Sequence, residues 1–524
     1  MRSSFRPLIV CAAFVPLAVA GLTTGSTGVS SAATTAATFT NFEPAGLKTF
    51  GLDEGGGSVG TRCPGAGPSK CYNVAGEPAI RADGAGNFYA ASENGLGSGT
   101  EAWKSTDGGR HYRTLPSPDA ASTGNDSGVE PGGGDVDVAV GDDTNSAGFY
   151  PLHIASLNLA NIDVANSQDG GKSFLLQPAA AKMFGDDREW IAADDSHQDA
   201  LNLPVEGGDK VCISYHDTVQ NISVDCDYDG GLTFPQHSSA IDASHAAYLV
   251  ADNEIGNLAI ARDTAEGDAT RGNHNLYQIF SGPQNVAGDT ACGGFTCYNV
   301  VYMGVSTDGG LTFTDHVVHL NPNVNVSYGH QFTNVSVDRR GNVYAVYSDD
   351  HNIYYSFSTN QGKTWSSAVR VNKTPANTAI FPWSVAGNAG ALDVVYYGTS
   401  HAPAPGETPD TYPASAAWHV YFAQNLHATT AGSGFSQVAA SPVNHYGGVC
   451  ESGVACSGNR DLYDDFGVAA SPTTGLASIV YTDDQYRSGN TRNPNSPSCT
   501  ATTTNTGSCV HTAFATQLTG GRVY

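Results

Sequence analysis

The octapeptide STDGGLTF, at Ser306–Phe313, decides the fold because the chain holds four further versions of it. The pattern is S-x-D-x-G-x-T-aromatic, and each version lies between two strand-like runs, here VVYMGV before it and TFTDHVVHL from its end onward. Self-similarity at intervals of tens of residues indicates a repeated structural unit. The other versions are STDGGRHY from Ser105, SQDGGKSF from Ser167, DYDGGLTF from Asp227 and STNQGKTW from Ser358.

The residue types of this octapeptide predict a tight hairpin turn. The Asp carboxylate can accept hydrogen bonds from nearby backbone N–H groups, Gly supplies a positive φ, and the final aromatic residue anchors the turn in the core. Short strands joined by Gly-rich turns, with no sustained helical periodicity, indicate an all-β fold.

The octapeptides resemble Asp-box (BNR) repeats, the signature of sialidase-like β-propellers. The resemblance implies that each box lies on the turn between the third and fourth strands of a blade, on the face away from the active site. It implies a structural role for the box residues, with Asn in place of Asp in the fifth box. These residues are Asp107, Asp169, Asp229, Asp308 and Asn360.

The repeated unit also has an upstream part, made of a strand, a turn and another strand. This part precedes the octapeptides and occurs seven times. We therefore expect a single β-propeller of four-stranded antiparallel blades, with seven blades favoured over the six that sialidases have. The early segment TFTNFEPAGLKTF, from Thr38, could supply the last strand and close the ring, which removes exposed sheet edges. The units begin near Pro78, Asp135, Trp190, Tyr248, Thr333, Phe381 and Phe466.

The N-terminus indicates export. Residues 1–33 contain Arg2 and Arg6, then the apolar run Leu8–Leu22, then small residues, which is typical of a secretory signal peptide. We assign residues 34–76 to an N-terminal segment that closes the ring and residues 77–524 to the propeller. No second apolar stretch approaches the ~18 residues that a membrane span needs. The expected protein is secreted, extracellular and monomeric.

Charge excludes one class of partner. The chain has 524 residues, with 24 Lys and Arg against 50 Asp and Glu, and its net charge is −26. Such a balance excludes a polybasic surface for nucleic acid.

Ten cysteines remain once Cys11 in the leader is set aside, and they fall in sequence-local pairs. An even number of cysteines in an exported chain predicts disulfides. Cys212 and Cys226 form the strongest pair, because two predicted strands flanking a turn near Val219 place them opposite each other. The full set is Cys63, Cys71, Cys212, Cys226, Cys292, Cys297, Cys450, Cys456, Cys499 and Cys509.

The loops at one end of the predicted channel hold the candidate site residues. The first strand of each blade lines a propeller's channel, and the mouth is formed by the loops before the first strand and after the second, where function concentrates. Aspartates also cap turns locally, so a structural role stays open for each of them. The candidates are Glu77, Asp186, Asp187, Arg188, His216, His330, Asp350, His351, Tyr396, Tyr397, Arg460 and Asp461.

The resemblance to sialidases implies an exo-acting glycoside hydrolase that acts on a glycan at this mouth. Such an enzyme protonates the leaving oxygen and stabilises an oxocarbenium-like transition state. Carried onto this sequence, the resemblance gives Asp186 or Asp187 as the acid/base and Tyr396 or Tyr397 as the nucleophile. Glu77 is then the partner of that tyrosine.

The resemblance to sialidases also gives candidates for substrate binding. Arg188 and Arg460 would grip a substrate carboxylate bidentately, and the expected partner is a carbohydrate or glycoconjugate. The alternative is a non-catalytic secreted propeller that binds glycan or protein at its mouth, because a fold does not fix a function. The remaining substrate-binding candidates are Asp461, His330, His216, Asp350 and His351.

No cofactor is required by this interpretation. Neighbouring acid pairs from different blades could nevertheless supply the oxygen ligands of a Ca²⁺ ion. The histidines of the mouth are the candidates for a transition metal, although no tight ligand spacing groups them in sequence. These histidines are His216, His330, His351 and His445.

Overall fold

The computed structural model describes residues 35–44, 73, 75–97, 99–119, 131–158, 161–184, 187–194, 209–261, 274–291, 297–485 and 510–524. Across these ranges the strands form seven four-stranded antiparallel sheets, and the first strands of adjacent sheets contact each other around a central channel. This arrangement is a seven-bladed β-propeller. The seven-blade prediction is confirmed, and the six-blade alternative is wrong.

Blades 1 to 6 are each built from consecutive strands that run from the channel outward. Strand β1, Thr38–Phe42, precedes the first blade. The strands of blades 1 to 3 are β2 (Gly76–Ala82), β3 (Phe88–Glu93), β4 (Glu101–Ser105), β5 (Arg113–Thr114), β6 (Val136–Val140), β7 (Leu152–Leu157), β8 (Ile162–Ser167), β9 (Leu175–Gln177), β10 (Asp187–Asp194), β11 (Lys210–His216), β12 (Ile222–Asp227) and β13 (Gln236–Ser239).

The later blades follow the same order, with only short helices between strands. The strands of blades 4 to 6 are β14 (Glu254–Ile260), β15 (Leu276–Gly282), β16 (Val300–Ser306), β17 (Thr314–Leu320), β18 (Asn334–Val337), β19 (Val343–Ser348), β20 (Ile353–Ser358), β21 (Val369–Arg370), β22 (Thr378–Ala386), β23 (Leu392–Thr399), β24 (Ala417–Asn425) and β25 (Ser436–Tyr446). Within the described ranges the helices are α1 (Ala246–Leu249), α2 (Val286–Ala291) and two 3₁₀ turns, Pro409–Thr411 and Gly453–Ala455.

Blade 7 joins the two ends of the described chain. It contains β26 (Gly467–Ala470), β27 (Ala477–Asp483) and β28 (His511–Thr519), and β1 pairs antiparallel with β28 as the outermost strand. Phe42 lies opposite Phe514 in this pairing, and their rings stack with centroids 5.5 Å apart. The N-terminal strand therefore completes the last blade and covers the edge of β28.

All five octapeptides occupy the turn between the third and fourth strands of blades 1 to 5. In blade 4, Asp308 Oδ1 accepts hydrogen bonds from the N–H groups of Leu311 and Thr312, and its Oδ2 accepts one from the Thr312 hydroxyl at 2.6 Å. Gly310 has a φ of +92° in this turn, which favours glycine. Phe313 is 7% exposed and belongs to the core.

Two disulfides join described cysteines. Cys212 and Cys226 lie directly opposite each other on β11 and β12 and are bonded, as predicted. Cys450 is bonded to Cys456 in the loop between β25 and β26, and Cys297 is also disulfide-bonded. The predictions for Cys63, Cys71, Cys292, Cys499 and Cys509 lie outside the described residues.

Aromatic side chains meet across the channel and separate its two ends. Trp190 of blade 3 packs on Trp383 of blade 6 with ring centroids 5.2 Å apart, and on Phe332, next to blade 5, at 5.5 Å. These contacts cross the channel because the blades concerned are not neighbours. Beyond Trp383, the later halves of the first strands line a cavity of about 500 Å³. Among the described residues, no helix has the length and hydropathy needed to cross a membrane.

Candidate functional site

Charged residues converge at the end of the channel where the first strands begin. Eight of them form what we call the acid–arginine cluster, and they come from blades 1, 2, 3 and 7. Five are almost fully buried, whereas Asp135, Arg460 and Asp464 keep partial exposure. The cluster consists of Glu77, Glu93, Asp135, Arg188, Glu189, Arg460, Asp464 and Asp465.

Backbone distortions aim two of these side chains inward. The pairing of β2 is bulged between Gly76 and Ala79, and that of β10 between Asp187 and Glu189. Within the bulges Glu77 has a φ of +48° and Arg188 a φ of +40°, values that cost free energy for residues other than glycine. Bulges redirect side chains and are common beside functional sites. The same bulge occurs in β14, between Ile255 and Leu258, and in β22, where Phe381 has a φ of +52°. The distortion is therefore shared by four first strands and is not specific to the charged residues.

Arg188 holds the cluster together across the channel. Its Nη1 lies 3.1 Å from Glu77 Oε1 of blade 1, and its Nη2 lies 2.5 Å from Asp465 Oδ2 next to blade 7. The guanidinium stacks on Trp190, 3.8 Å from the ring centroid, and the residue is 3% exposed. The planar guanidinium suits such simultaneous ion pairing and stacking. Three blades are thus tied together through one side chain.

A trio of carboxyl groups, which we call the carboxyl trio, lies beside Arg188. Oxygens of Glu77, Glu93 and Asp135 are all within 4.8 Å of one another. Burial, reinforced by Asp135, raises the pKa of Glu93 to about 8, and burial also raises the pKa of Glu77 and Asp135. Like charges this close disfavour simultaneous ionisation. The carboxyl trio therefore retains at least one proton at neutral pH.

Arg460 approaches the carboxyl trio from the loop after β25. Its Nη2 lies 2.5 Å from Asp464 Oδ2 and 3.9 Å from Glu77 Oε2. Glu77 thus has an arginine on each side. Both Arg188 and Arg460, the arginines predicted to grip a substrate carboxylate, are paired with carboxylates of the protein itself.

Glu189 is a further buried acid beside the trio. It is 0% exposed, and neither of its carboxyl oxygens makes a hydrogen bond with another described residue. Burial and the nearby Asp135 raise its pKa well above the usual range. A carboxyl group in such surroundings is kept in its neutral form.

The opposite side of the mouth carries histidine–carboxylate pairs. His330 Nδ1 lies 2.6 Å from Asp350 Oδ2, and this contact raises the pKa of His330. Gln331 donates a hydrogen bond to Glu451 and accepts one from the N–H of Phe381 at 2.8 Å. These residues of blades 5 and 6 line the mouth without contacting the carboxyl trio in any described hydrogen bond or ion pair.

His445, Asp461 and Asp484 form a separate group at the rim, in which ligand atoms of the three residues lie within 4.8 Å of one another. His445 Nδ1 is 2.8 Å from Asp484 Oδ2. This group lies between blades 6 and 7, and Asp461 is on the same loop as Arg460.

The two predicted tyrosines lie in packed surroundings within blade 6. The Tyr396 hydroxyl donates to Gln437 at 2.6 Å and its ring stacks on Tyr421, 5.9 Å away. The Tyr397 hydroxyl accepts a hydrogen bond from the Thr482 N–H at 3.0 Å. Both tyrosines are 0% exposed, and burial raises the pKa of each hydroxyl.

The other predicted residues are dispersed around the mouth. Asp187 is exposed at the start of β10, its Oδ1 accepts the Arg188 N–H at 3.0 Å, and Asp186 lies outside the described residues. His216 is paired in register with Asp187 and contacts Asn253 at 2.7 Å, and burial lowers its pKa. His351 Nε2 contacts the Glu407 carbonyl at 3.0 Å.

Sequence reasoning selected Glu77, Arg188 and Arg460 but did not select Glu93 or Asp135. Glu93 ends β3, and Asp135 immediately precedes β6. Both positions meet the criterion that selected the other candidates, which is a place in the loop before a first strand or after a second strand. Glu93 lies at the end of a second strand, and Asp135 lies at the start of a first strand. A search of all blades for acids at those two positions would have found them.

Comparisons with known proteins found solved structures of low similarity. No family model and no curated protein matches the chain. Among solved structures, an α-L-arabinofuranosidase of Fusarium graminearum with arabinobiose is 10% identical, with a TM-score of 0.42 and coverage of 91% of this chain and 98% of that one. The Aleuria aurantia lectin with Fucα1-6GlcNAc is 9% identical, with a TM-score of 0.39 and coverage of 70% and 96%. A Hadza microbial sialidase is 12% identical, with a TM-score of 0.37 and coverage of 62% and 64%. At these identities the likeness concerns the fold alone.

Proposed function

We propose that the protein is a secreted glycoside hydrolase that cleaves a glycan at the channel mouth with retention of anomeric configuration. The carboxyl trio carries this proposal, because two carboxyl groups flanking a glycosidic bond are the usual machinery of such enzymes. The trio's oxygens are within 4.8 Å of one another. Retaining enzymes hold their two carboxyl groups about 5–5.5 Å apart, whereas inverting enzymes need about 6.5–9.5 Å.

Glu93 is the proton donor in this proposal. A pKa of about 8 keeps its carboxyl group protonated at neutral pH, ready to protonate the leaving oxygen. Glu77 is the nucleophile. Burial is the main cause that raises the pKa of Glu77, and Asp135 and Glu93 add to it. Protonation of Glu93 removes its share, and the ion pair with Arg188 acts in the opposite direction, towards the Glu77 carboxylate.

The charges of the site support an uncharged sugar as substrate. Arg188 and Arg460 are both paired with acids of the protein, so a substrate carboxylate would have to compete for them. The excess of acids over arginines in the cluster would also repel an anionic sugar. This proposal departs from a sialidase in using Glu77 as the nucleophile, since both tyrosine hydroxyls are buried and hydrogen-bonded.

A non-catalytic, glycan-binding propeller is the second candidate. The near-complete burial of Arg188, at 3% exposed, and Glu77, at 1%, favours it. A buried ion pair of this kind can serve to fix the arrangement of blades alone.

Hydrolysis of fluorogenic glycosides tests the two candidates. The panel should contain neutral arabino-, fuco-, gluco- and galactosides and a sialoside, with the product's configuration followed by NMR. We expect turnover of a neutral glycoside with retention, and a loss of about 10²–10⁴-fold in kcat/KM for E93Q. Asp308→Asn, on the opposite face, is the matched control and should keep full activity. Glycan-array binding without any turnover would establish the second candidate instead.

The pH profile gives an independent test of the proton donor. Because Glu93 must be protonated, kcat/KM should fall as the pH rises through about 8. The residual activity of E93Q should lack this alkaline limb. An unchanged limb in E93Q would assign the proton donor to another group.

A further inference from the structure

His445, Asp461 and Asp484, the group at the rim between blades 6 and 7, have the residue types of a metal site. No step of the proposed hydrolysis uses this group. His445 lies near the end of β25, Asp484 directly follows β27, and both are 0% exposed. Asp461 reaches them from the loop between β25 and β26 and keeps partial exposure. One nitrogen and two carboxylate oxygens from these residues lie within 4.8 Å of one another.

The hydrogen bond of the second imidazole nitrogen fixes the tautomer of His445. Its Nε2 lies 3.0 Å from the carbonyl oxygen of Gly448. A carbonyl only accepts, so Nε2 carries the hydrogen. In the neutral imidazole, Nδ1 then presents its lone pair to Asp484 Oδ2, 2.8 Å away. Two acceptors at this distance repel each other unless a positive charge lies between them. That charge is either a proton or a metal ion.

Asp461 distinguishes the two cases. It makes no hydrogen bond or ion pair with another described residue, yet its carboxylate adjoins both His445 and Asp484. A proton shared by His445 and Asp484 would leave Asp461 with only an electrostatic interaction with the imidazolium, whereas a metal ion would bind all three groups directly.

We propose that His445 Nδ1, Asp461 and Asp484 bind one divalent transition-metal ion with the preferences of Zn²⁺. Metal-binding histidines generally donate their other N–H to a carbonyl or carboxylate, as His445 does to Gly448. An imidazole nitrogen suits zinc and its neighbours, whereas Ca²⁺ and Mg²⁺ prefer oxygen ligands. The two carboxylates neutralise the charge of the ion.

The position of this site gives the ion a structural role. Asp461 directly follows Arg460, and the disulfide between Cys450 and Cys456 constrains the earlier part of the same loop. A metal bound at Asp461 would fix the other part, where Arg460 approaches Glu77 at 3.9 Å. The ion does not contact the carboxyl trio, so this proposal does not depend on the proposed hydrolysis.

Metal analysis of the tag-free protein, stripped with a chelator and dialysed, tests the proposal. Titration with ZnCl₂, followed by plasma mass spectrometry and thermal unfolding, should give one equivalent of zinc per chain and a higher Tm. Zinc uptake should release protons and weaken towards pH 5, because the ligands must be deprotonated. CaCl₂ at the same concentration should leave the Tm unchanged.

Variants separate this site from adventitious binding. Asp461→Asn keeps the shape of a partly exposed side chain and should abolish the stoichiometric zinc, as should the fully buried change H445Q. The matched control is Asp350→Asn, which alters a histidine–carboxylate pair 2.6 Å apart at the same mouth but without a third clustered ligand. Absence of zinc from the wild-type protein, or equal binding by wild type and Asp461→Asn, would overturn the proposal and assign the charge to a proton.

Discussion

At the scale of single residues, Arg188 has the largest consequences. It neutralises Glu77 and Asp465, which are 1% and 6% exposed, and covers Trp190. Its positive φ lies in a bulge, so the backbone itself is distorted to bring the guanidinium to the axis. Removal of this side chain would leave two buried carboxylates without their cation.

Replacement of Arg188 by methionine, which has similar length and no charge, should therefore destabilise the fold. We expect a loss of about 3–5 kcal/mol in the free energy of unfolding, the usual cost of breaking a buried ion pair. Urea unfolding at neutral pH measures it, with the exposed Arg110→Met as the control. A loss below about 1 kcal/mol would show that the two acids are protonated and do not need the arginine.

Single residues also show which contacts of the site could not be predicted from the sequence. Glu77 and Arg188 were predictable because charged residues at the start of a buried strand are unusual. Their ion pair was not, since it depends on bulges and positive φ values that Glu and Arg rarely adopt. Tyr396 and Tyr397 looked like mouth residues by position in sequence, but the alternation of β23 directs both hydroxyls into packed surroundings.

At the scale of elements, the turn octapeptide accounts for most of what could be predicted. Its Asp, Gly and aromatic residues act locally, so the position of the third-to-fourth turn follows from sequence alone. In blade 5, Asn360 accepts the Thr364 N–H at 3.0 Å and donates to the Thr364 hydroxyl at 2.9 Å, in place of a carboxylate. The mouth loops have no comparable local sequence pattern, because their side chains contact other blades.

The natural Asn in blade 5 leads to a prediction for blade 4. Asp308→Ala should lower the free energy of unfolding by about 1–3 kcal/mol, because the N–H groups of Leu311 and Thr312 lose their acceptor. Asp308→Asn should cost clearly less, since an amide oxygen can accept the same bonds. Chemical denaturation of both variants measures the difference. Equal losses for Ala and Asn would mean that the negative charge, rather than the hydrogen bonds, stabilises the turn.

At the scale of the whole molecule, closure by β1 is the step that makes the blades a ring. Every other blade completes its sheet from consecutive strands, whereas blade 7 takes its outer strand from the N-terminal side. That strand satisfies the edge of β28 and adds the stacking of Phe42 on Phe514.

Deletion of residues 35–42 should consequently lower the Tm by several degrees and cause aggregation that increases with protein concentration, because β28 becomes an exposed edge. Differential scanning calorimetry and light scattering measure the two effects. Thr38→Ala, at the exposed end of the strand, is the control and should unfold like the wild type. A deletion variant that stays monomeric with an unchanged Tm would show that six complete blades and three strands are sufficient.

The many buried acids make stability depend on pH in an unusual direction. Burial raises the pKa of Glu93 and Asp393 to about 8 and that of Asp227 and Asp465 to about 7. The unfolded chain releases these protons near pH 4–4.5, so between about pH 5 and 8 the folded state binds more protons. The free energy of unfolding should then fall as the pH rises across this range, by up to about 1.4 kcal/mol per pH unit for each such group.

Unfolding by urea at pH 5.5, 7 and 8.5 tests this dependence. Asp393→Asn should flatten the slope, because Asp393 is fully buried and, among the described residues, has only Gln424 as its hydrogen-bond partner. A stability that rises between pH 5.5 and 8.5 would show that these carboxyl groups are ionised in the folded protein.

The pairing of β1 with β28 also determines when the ring can close during biosynthesis. Thr38 and Thr519 share a hydrogen bond but are 481 positions apart, so the earliest of the described strands pairs with the latest of them. At 5–20 residues per second, this interval takes on the order of 25 to 100 s. Throughout that time β1 has no partner and the nascent ring cannot close. The ring therefore closes only after β28 has been made, and β1 needs protection from other chains until this partner arrives.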